Sequence, residues 1–309
     1  MRKTKVQFIA VMAILFLICG ISQSFAASGN LRYSITVSKF KNEASWHGRW
    51  SVGDGFTTIL TAALQDSKKF IVLGDKEMRI EAMAEQDFAA SGRTAKGKKS
   101  AKTGRMTPAQ LLVRGSVTHV QQSTSGGGGG VSFMGIRVGG STDSAEVNIT
   151  MYLVNTETGQ VKASTKVVGK SDRSGLALGY HGSGLGGLTG DMDGFMKDNV
   201  GKACEDAVAQ GVEFLVTQLE DIAWEGSISL VKPNKIIINR GSREGVSEGA
   251  RFDVGEIDEI VDEDTGEVLD SEMTRIATIE VTKVKEKIAY CKIINGSGIA
   301  KGMTIFPAQ

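Results

Sequence analysis

From residue 33 to 40 apolar and polar residues alternate, with Tyr33, Ile35 and Val37 on one side, which predicts a strand with one buried face. The period then lengthens. Across 55–65, Phe56, Ile59, Leu60, Ala63 and Leu64 recur at helical spacing, and Asp54 stands where an N-cap belongs. A short buried strand is expected over 70–73. Helical spacing returns over 76–90 through Met78, Ile80, Met83 and Ala84. The chain therefore opens as strand, helix, strand, helix.

Residues 91–104 are rich in Lys, Gly, Ser and Thr and read as a mobile basic loop. Pro108 suggests a short helical turn over 107–112, ahead of a strand through Val113, Gly115, Val117 and His119. A long alternating segment follows, broken by the glycines 126–130. Residues 147–154 and 161–170 are strands joined by a turn at 155–159, which makes a hairpin. After the glycine-rich stretch 176–194, a helix is expected over 200–219, with Cys204, Val208, Val212, Leu215 and Leu219 on one face.

The texture changes beyond Trp224. Short strands are expected at 228–231, 235–239, 251–256, 274–284 and 288–294, with an acidic hairpin turning at 264–266. Glycines 241, 245, 249, 296, 298 and 302 punctuate them, as in a small antiparallel barrel. The expected fold is thus an α/β domain over 27–225 carrying glycine-rich hairpins, followed by a small all-β barrel over 226–309.

Composition adds destination. Arg2, Lys3 and Lys5 precede an apolar run over 8–18, and the small residues Ser24 and Ala26 stand at the recognition positions of a cleavable export signal over 1–26. The apolar run is shorter than the roughly 18–20 residues a spanning helix needs. Lipidation at Cys19 is not expected, because the large Leu17 and Ile18 precede it where small residues are required. The chain is placed in the periplasm, the outer membrane or both. About 280 residues then remain, enough for two domains. A net charge of +1 with 23% charged residues gives no bias toward nucleic acid. Cys204 and Cys291, one in each expected domain, read as small buried residues rather than a disulfide framework.

Candidate chemistry is thin. Gly92, Gly97 and Lys98 have phosphate-loop spacing, but Lys99 stands where a hydroxyl is needed and a helix rather than a strand comes before. Gly182, Gly184 and Gly187 match a dinucleotide fingerprint by spacing, yet the glycines that follow cannot open the helix it requires. His47, His119 and His181 lack metal-ligand spacing, and Asp191 and Asp193 lack the remaining ligands of a calcium loop. The acidic run 256–270 reads as a solvated hairpin face. No catalytic residue, metal or cofactor is expected, so the chain reads as non-enzymatic.

The glycine-rich segments carry more. Phe133, Met134, Ile136 and Val138 fall in one candidate hairpin, about 116–150. Leu176, Leu178 and Tyr180 fall in a second, about 161–190. Spanning strands of an outer-membrane barrel need about 9–11 residues with alternate apolar side chains, a length these segments just reach. Alternation leaves two readings open: membrane strands, or mobile loops of a soluble protein.

Four stretches together resemble the CsgG/HfaB family of curli-type secretion components: GFTTILTAALQDSKK at 55–69, LLVRGSV at 111–117, EVNITMYLVNTETGQVKA at 146–163, and the helix over 203–220. The order of VRGSV, GGGGGVSFMGIRVGG and VNITMYLVNTETGQV is the most specific part, and the resemblance covers about 31–220. It implies an α/β periplasmic domain whose two hairpins join those of other copies in a homo-oligomeric ring. That ring would be an outer-membrane channel for secreted or surface polypeptides, working with other envelope assembly proteins. It further implies that the loop over 43–54 forms the pore constriction, with Asn42, Trp46, His47 and Trp50 as its candidates. Residues 232–307 resemble the C-terminal barrel of the flagellar envelope protein FlgT, which implies an interaction module. The alternative is a soluble periplasmic adaptor built on the same core.

Overall fold

The structure, a computed structural model, describes residues 31–48, 50–95, 97, 100–125, 131–133, 136–138, 142–172, 198–233 and 235–308. The expected export signal, Met134, and the second glycine-rich segment with Leu176, Leu178 and Tyr180 lie outside the described residues. Phe133, Ile136 and Val138 are described by their backbone alone. Two compact units divide the chain, Arg32–Ala223 and one that contains Trp224–Gln309.

The first unit is a mixed sheet with helices. Its strands are β1 (Tyr33–Val37), β2 (Lys41–Asn42), β3 (Phe70–Val72), β4 (Leu111–Ser125), β7 (Thr142–Asn155) and β8 (Val161–Lys170), with the short β5 (Val131–Phe133) and β6 (Ile136–Val138) between β4 and β7. The sheet runs β3-β1-β4-β7-β8, and β2 pairs with β4. β1 is parallel to β3 and β4, whereas β4, β7 and β8 are antiparallel. On one face Ile35, Val113, Val117, Val147, Ile149, Met151 and Leu153 are buried, the alternation that a sheet covered on one side requires.

Helix α1 (Val52–Ser67) buries Phe56, Ile59, Leu60 and Leu64. Its cap is Ser51 rather than Asp54, and it begins three residues ahead of the expected start. The Ser51 hydroxyl accepts from the Asp54 amide at 3.3 Å. Asp54 instead lies in the first turn, where a carboxylate suits the positive end of the helix dipole, and pairs with Lys39 at 2.9 Å.

Helix α3 (Asn199–Gln218), capped by Asp198, buries Val200, Cys204, Val208 and Leu215. It packs closely on β8 because residue 169 is glycine: a Cβ there would collide with the Ala203 carbonyl. Two polar ties fix the register of helix on strand. The Lys170 amide donates to Asp206 at 3.0 Å, and the Gln210 side chain donates to the Val168 carbonyl at 2.9 Å.

Helix α2 (Lys76–Ala90) has the bounds its periodicity predicts, capped by Asp75, but it has no buried residue. Met78, Ile80, Met83 and Phe88 are 45–55% exposed. No helical turn forms over 107–112. Ser34 captures that backbone instead: its hydroxyl donates to the Pro108 carbonyl at 2.8 Å, and its amide donates to the Gln110 side chain at 3.0 Å. β4 consequently starts at Leu111, in register with Ile35.

The second unit is a closed antiparallel barrel in the order β10-β13-β12-β11-β14-β9. Its strands are β9 (Gly226–Lys232), β10 (Lys235–Ile238), β11 (Arg251–Val261), β12 (Val268–Val284), β13 (Ala289–Gly296) and β14 (Thr304–Pro307). Ile228, Ile238, Phe252, Val254, Ile279 and Ile305 fill it, and Trp224 stacks on Phe252 with ring centroids 5.3 Å apart. β14 escapes periodicity because it has four residues and ends in proline, yet it closes the cylinder between β11 and β9.

Candidate functional site

Two features of the first unit stand away from its core. The first is the loop between β2 and α1. β2 lies parallel to β4, with Asn42 opposite Val117, and the Glu43 amide donates to the Val117 carbonyl at 2.9 Å. At the other end the Ser51 cap fixes the loop to α1. Between these anchors the Asn42 side-chain amide donates to the Trp46 carbonyl at 2.8 Å. The Trp46 and Trp50 rings lie 5.5 Å apart, tilted by 38°, a favourable aromatic pair. His47 Nδ1 donates to the Ser45 carbonyl at 2.8 Å, the tautomer that a carbonyl partner requires. Ser45 adopts a left-handed conformation with φ of 52°.

The four expected constriction residues thus share one short, locally hydrogen-bonded loop, with Asn42, Trp46 and Trp50 joined and the His47 ring turned back on the backbone. Gly48 was not among the expected residues. The Trp46 ring lies across Gly48, where a Cβ would require the ring to move. The only sequence signal for this is a glycine two residues after a tryptophan.

Charge near the loop is modest. The Asp54 carboxylate, by hydrogen bond and then by charge, holds the Lys39 ammonium above its ordinary range.

The second feature is the ladder between β4 and β7. It runs from Leu111 opposite Asn155 to Ser125 opposite Thr142, with one bulge near Thr118. β1 accompanies β4 only at 111–113 and β2 only at 116–117, so the outer part of β4 pairs with β7 alone. Nested beyond it, β5 and β6 pair with Val131 opposite Val138.

Cys204 and Cys291 are free and buried. Burial raises the Cys204 thiol well above its ordinary value and pushes Cys291 up to about 12, so neither is a thiolate nucleophile near neutrality. Among the described residues, no group of three or more His, Cys, Asp or Glu could hold a metal ion. No helix among them is long and apolar enough to cross a membrane, which leaves strand-crossing untouched.

A search of curated proteins gave no match. Solved structures that resemble the chain include the PelC dodecamer from Paraburkholderia phytofirmans, 12% identical with a TM-score of 0.30, covering 58% of this chain and 84% of that one. A hypothetical protein from Chlamydia trachomatis is 12% identical with a TM-score of 0.35, covering 60% and 96% respectively. A lipoprotein from Neisseria meningitidis is 14% identical with a TM-score of 0.26, covering 62% and 99%. Likeness this distant transfers neither assembly nor ligand. The family model for the curli production assembly/transport component CsgG, in contrast, matches residues 21–235, well over half of the chain and including the loop, the long ladder and the described helices α1, α2 and α3. The chain belongs to the CsgG family.

Proposed function

We propose that this protein is an oligomeric channel component of the outer membrane that guides secreted or surface polypeptides out of the periplasm. The observation that carries the reading is the long β4–β7 ladder. In a family described by assembly and transport, it outruns its own sheet toward the first glycine-rich segment. A strand pair that leaves its sheet has unpaired edges, and in a bilayer these are satisfied only when hairpins from several copies close one barrel. The shared wall would encircle a polar lumen.

On this reading the Asn42–Trp50 loop narrows the lumen. Trp46 and Trp50 offer flat apolar surface and Asn42 an amide. An unfolded chain would pass by fit and transient stacking, with no bond made or broken. Lys39 and Asp54 hold the loop's base, and Gly48 leaves room for the Trp46 ring.

The test replaces residues 126–141 by an Asn-Gly turn, which closes β4 onto β7 and removes the distal segment. Outer membranes bearing the wild-type chain should retain it through carbonate washing. The shortened chain should be released with an unchanged thermal melt. Release of the wild-type chain as a monomer would overturn the channel.

A further inference from the structure

The barrel separates its charge. Residues 256–275, the distal parts of β11 and β12 with their turn, carry nine acidic residues against one base. The remainder, 226–255 with 276–308, carries ten bases against five acids.

The acidic part is a free-standing ribbon. The β14 ladder leaves β11 at Gly255, and the β13 ladder leaves β12 at Ala277, so beyond these points β11 and β12 pair only with each other. Directly opposite residues share a face, which sets Asp258 beside Glu272 and Ile260 beside Asp270. Like charges in that position repel, and an isolated two-stranded ribbon is marginal in water. Near its turn the ribbon exposes Ile260 (49%), Val261 (44%), Val268 (49%) and Leu269 (62%), an apolar tip among carboxylates.

The same unit carries the opposite surface. A groove of about 650 Å³ between the β9–β10 turn and β13 is lined by Val231, Ile236, Ile293 and Ile299, with Lys232 and Lys235 at its rim. Lys292, also there, is already tied to Glu280 at 2.9 Å, and Lys235 lies over the Tyr290 ring, 4.7 Å from its centroid. Val231 and Ile293 are 37% and 47% exposed, so the floor is uncovered.

We infer that the occupant of the groove is the acidic ribbon of a second copy, which joins neighbouring barrels head to tail. Apolar tip meets apolar floor, and the ribbon's carboxylates meet Lys232 and Lys235. Two different patches of one chain make a heterologous contact, the kind that generates rings when its rotation closes. The inference rests on the ring reading above, because it needs several copies, and it gives the barrel its part in that ring.

The experiment is sedimentation velocity of the full chain in detergent. One variant reverses one facing pair of the ribbon (Asp258→Lys with Glu272→Lys), another the groove rim (Lys232→Glu with Lys235→Glu), and all four positions are exposed. Each variant alone should associate at least about tenfold more weakly than wild type, and an equimolar mixture should associate more tightly than either alone, because the reversed pair of one then faces the reversed rim of the other. Raising salt should weaken the wild-type assembly. Variants that assemble like wild type, or a mixture that recovers nothing, would overturn the docking and leave the ring standing. A wild-type chain that stays monomeric would overturn the ring and the docking with it.

Discussion

The two units solve the problem of strand edges differently. The first leaves its sheet open, buries one face under α1 and α3, and lets β4 and β7 run on past their neighbours. The second closes six strands on themselves, and from it β11 and β12 run on as a ribbon. Closure removes edges, whereas an open sheet keeps them available for pairing with another chain. In both units strands outlast the core beneath them, and each proposed contact uses such a place. The family match divides the units in the same way, since it covers the first and ends at Lys235, one strand into the barrel. The proposed transport role therefore belongs to the open unit, and the barrel's proposed role rests on its own surfaces.

If the units are independent bodies, truncation in one should spare the other. Phe56 and Phe252 are both essentially unexposed. Exchange to alanine at either should cost about 3–5 kcal/mol. The buried thiols separate the readouts, since Cys204 lies in α3 and Cys291 in β13. Labelling by a disulfide reagent along a urea gradient should show Phe56→Ala exposing Cys204 early while Cys291 keeps its midpoint, and Phe252→Ala doing the reverse. Midpoints that move together would break the comparison.

A smaller effect is expected at the closest helix–strand approach. Gly169→Ala should lower the Cys204 midpoint by the equivalent of about 1–3 kcal/mol, because the added methyl must push α3 off β8. The barrel should not register it.

The smallest is a dependence on pH. Burial raises both thiols above their ordinary value, so each favours the folded state below that value. The contribution is lost as pH rises, through about 12 for Cys291 and higher for Cys204. Urea midpoints should therefore fall as pH climbs above 9, and native thiols should stay unreactive at pH 8. Fast labelling of either thiol in the native chain at pH 8 would contradict the burial.

Most of the architecture was legible because it follows period. Strands β1, β7 and β8, helices α1, α2 and α3 and the barrel all announce themselves by spacing of two or 3.6. What failed was decided elsewhere. The cap passed to Ser51 because a hydroxyl and a carboxylate three residues apart both satisfy the cap pattern, and only geometry chooses between them. The turn after Pro108 was lost to Ser34, 74 residues away, a partner no local window contains. α2 shows the converse, since spacing fixed its helix but not its burial. Of the candidate site, the resemblance pointed to the loop by position alone, and its internal bonds and Gly48 were not legible, because packing of a ring across a backbone leaves no period.

The central claim is that copies of this chain form a ring around a channel. Electron microscopy of the full chain purified in detergent tests it most directly. The account predicts closed rings with a central passage, and a homogeneous population of monomers would contradict it.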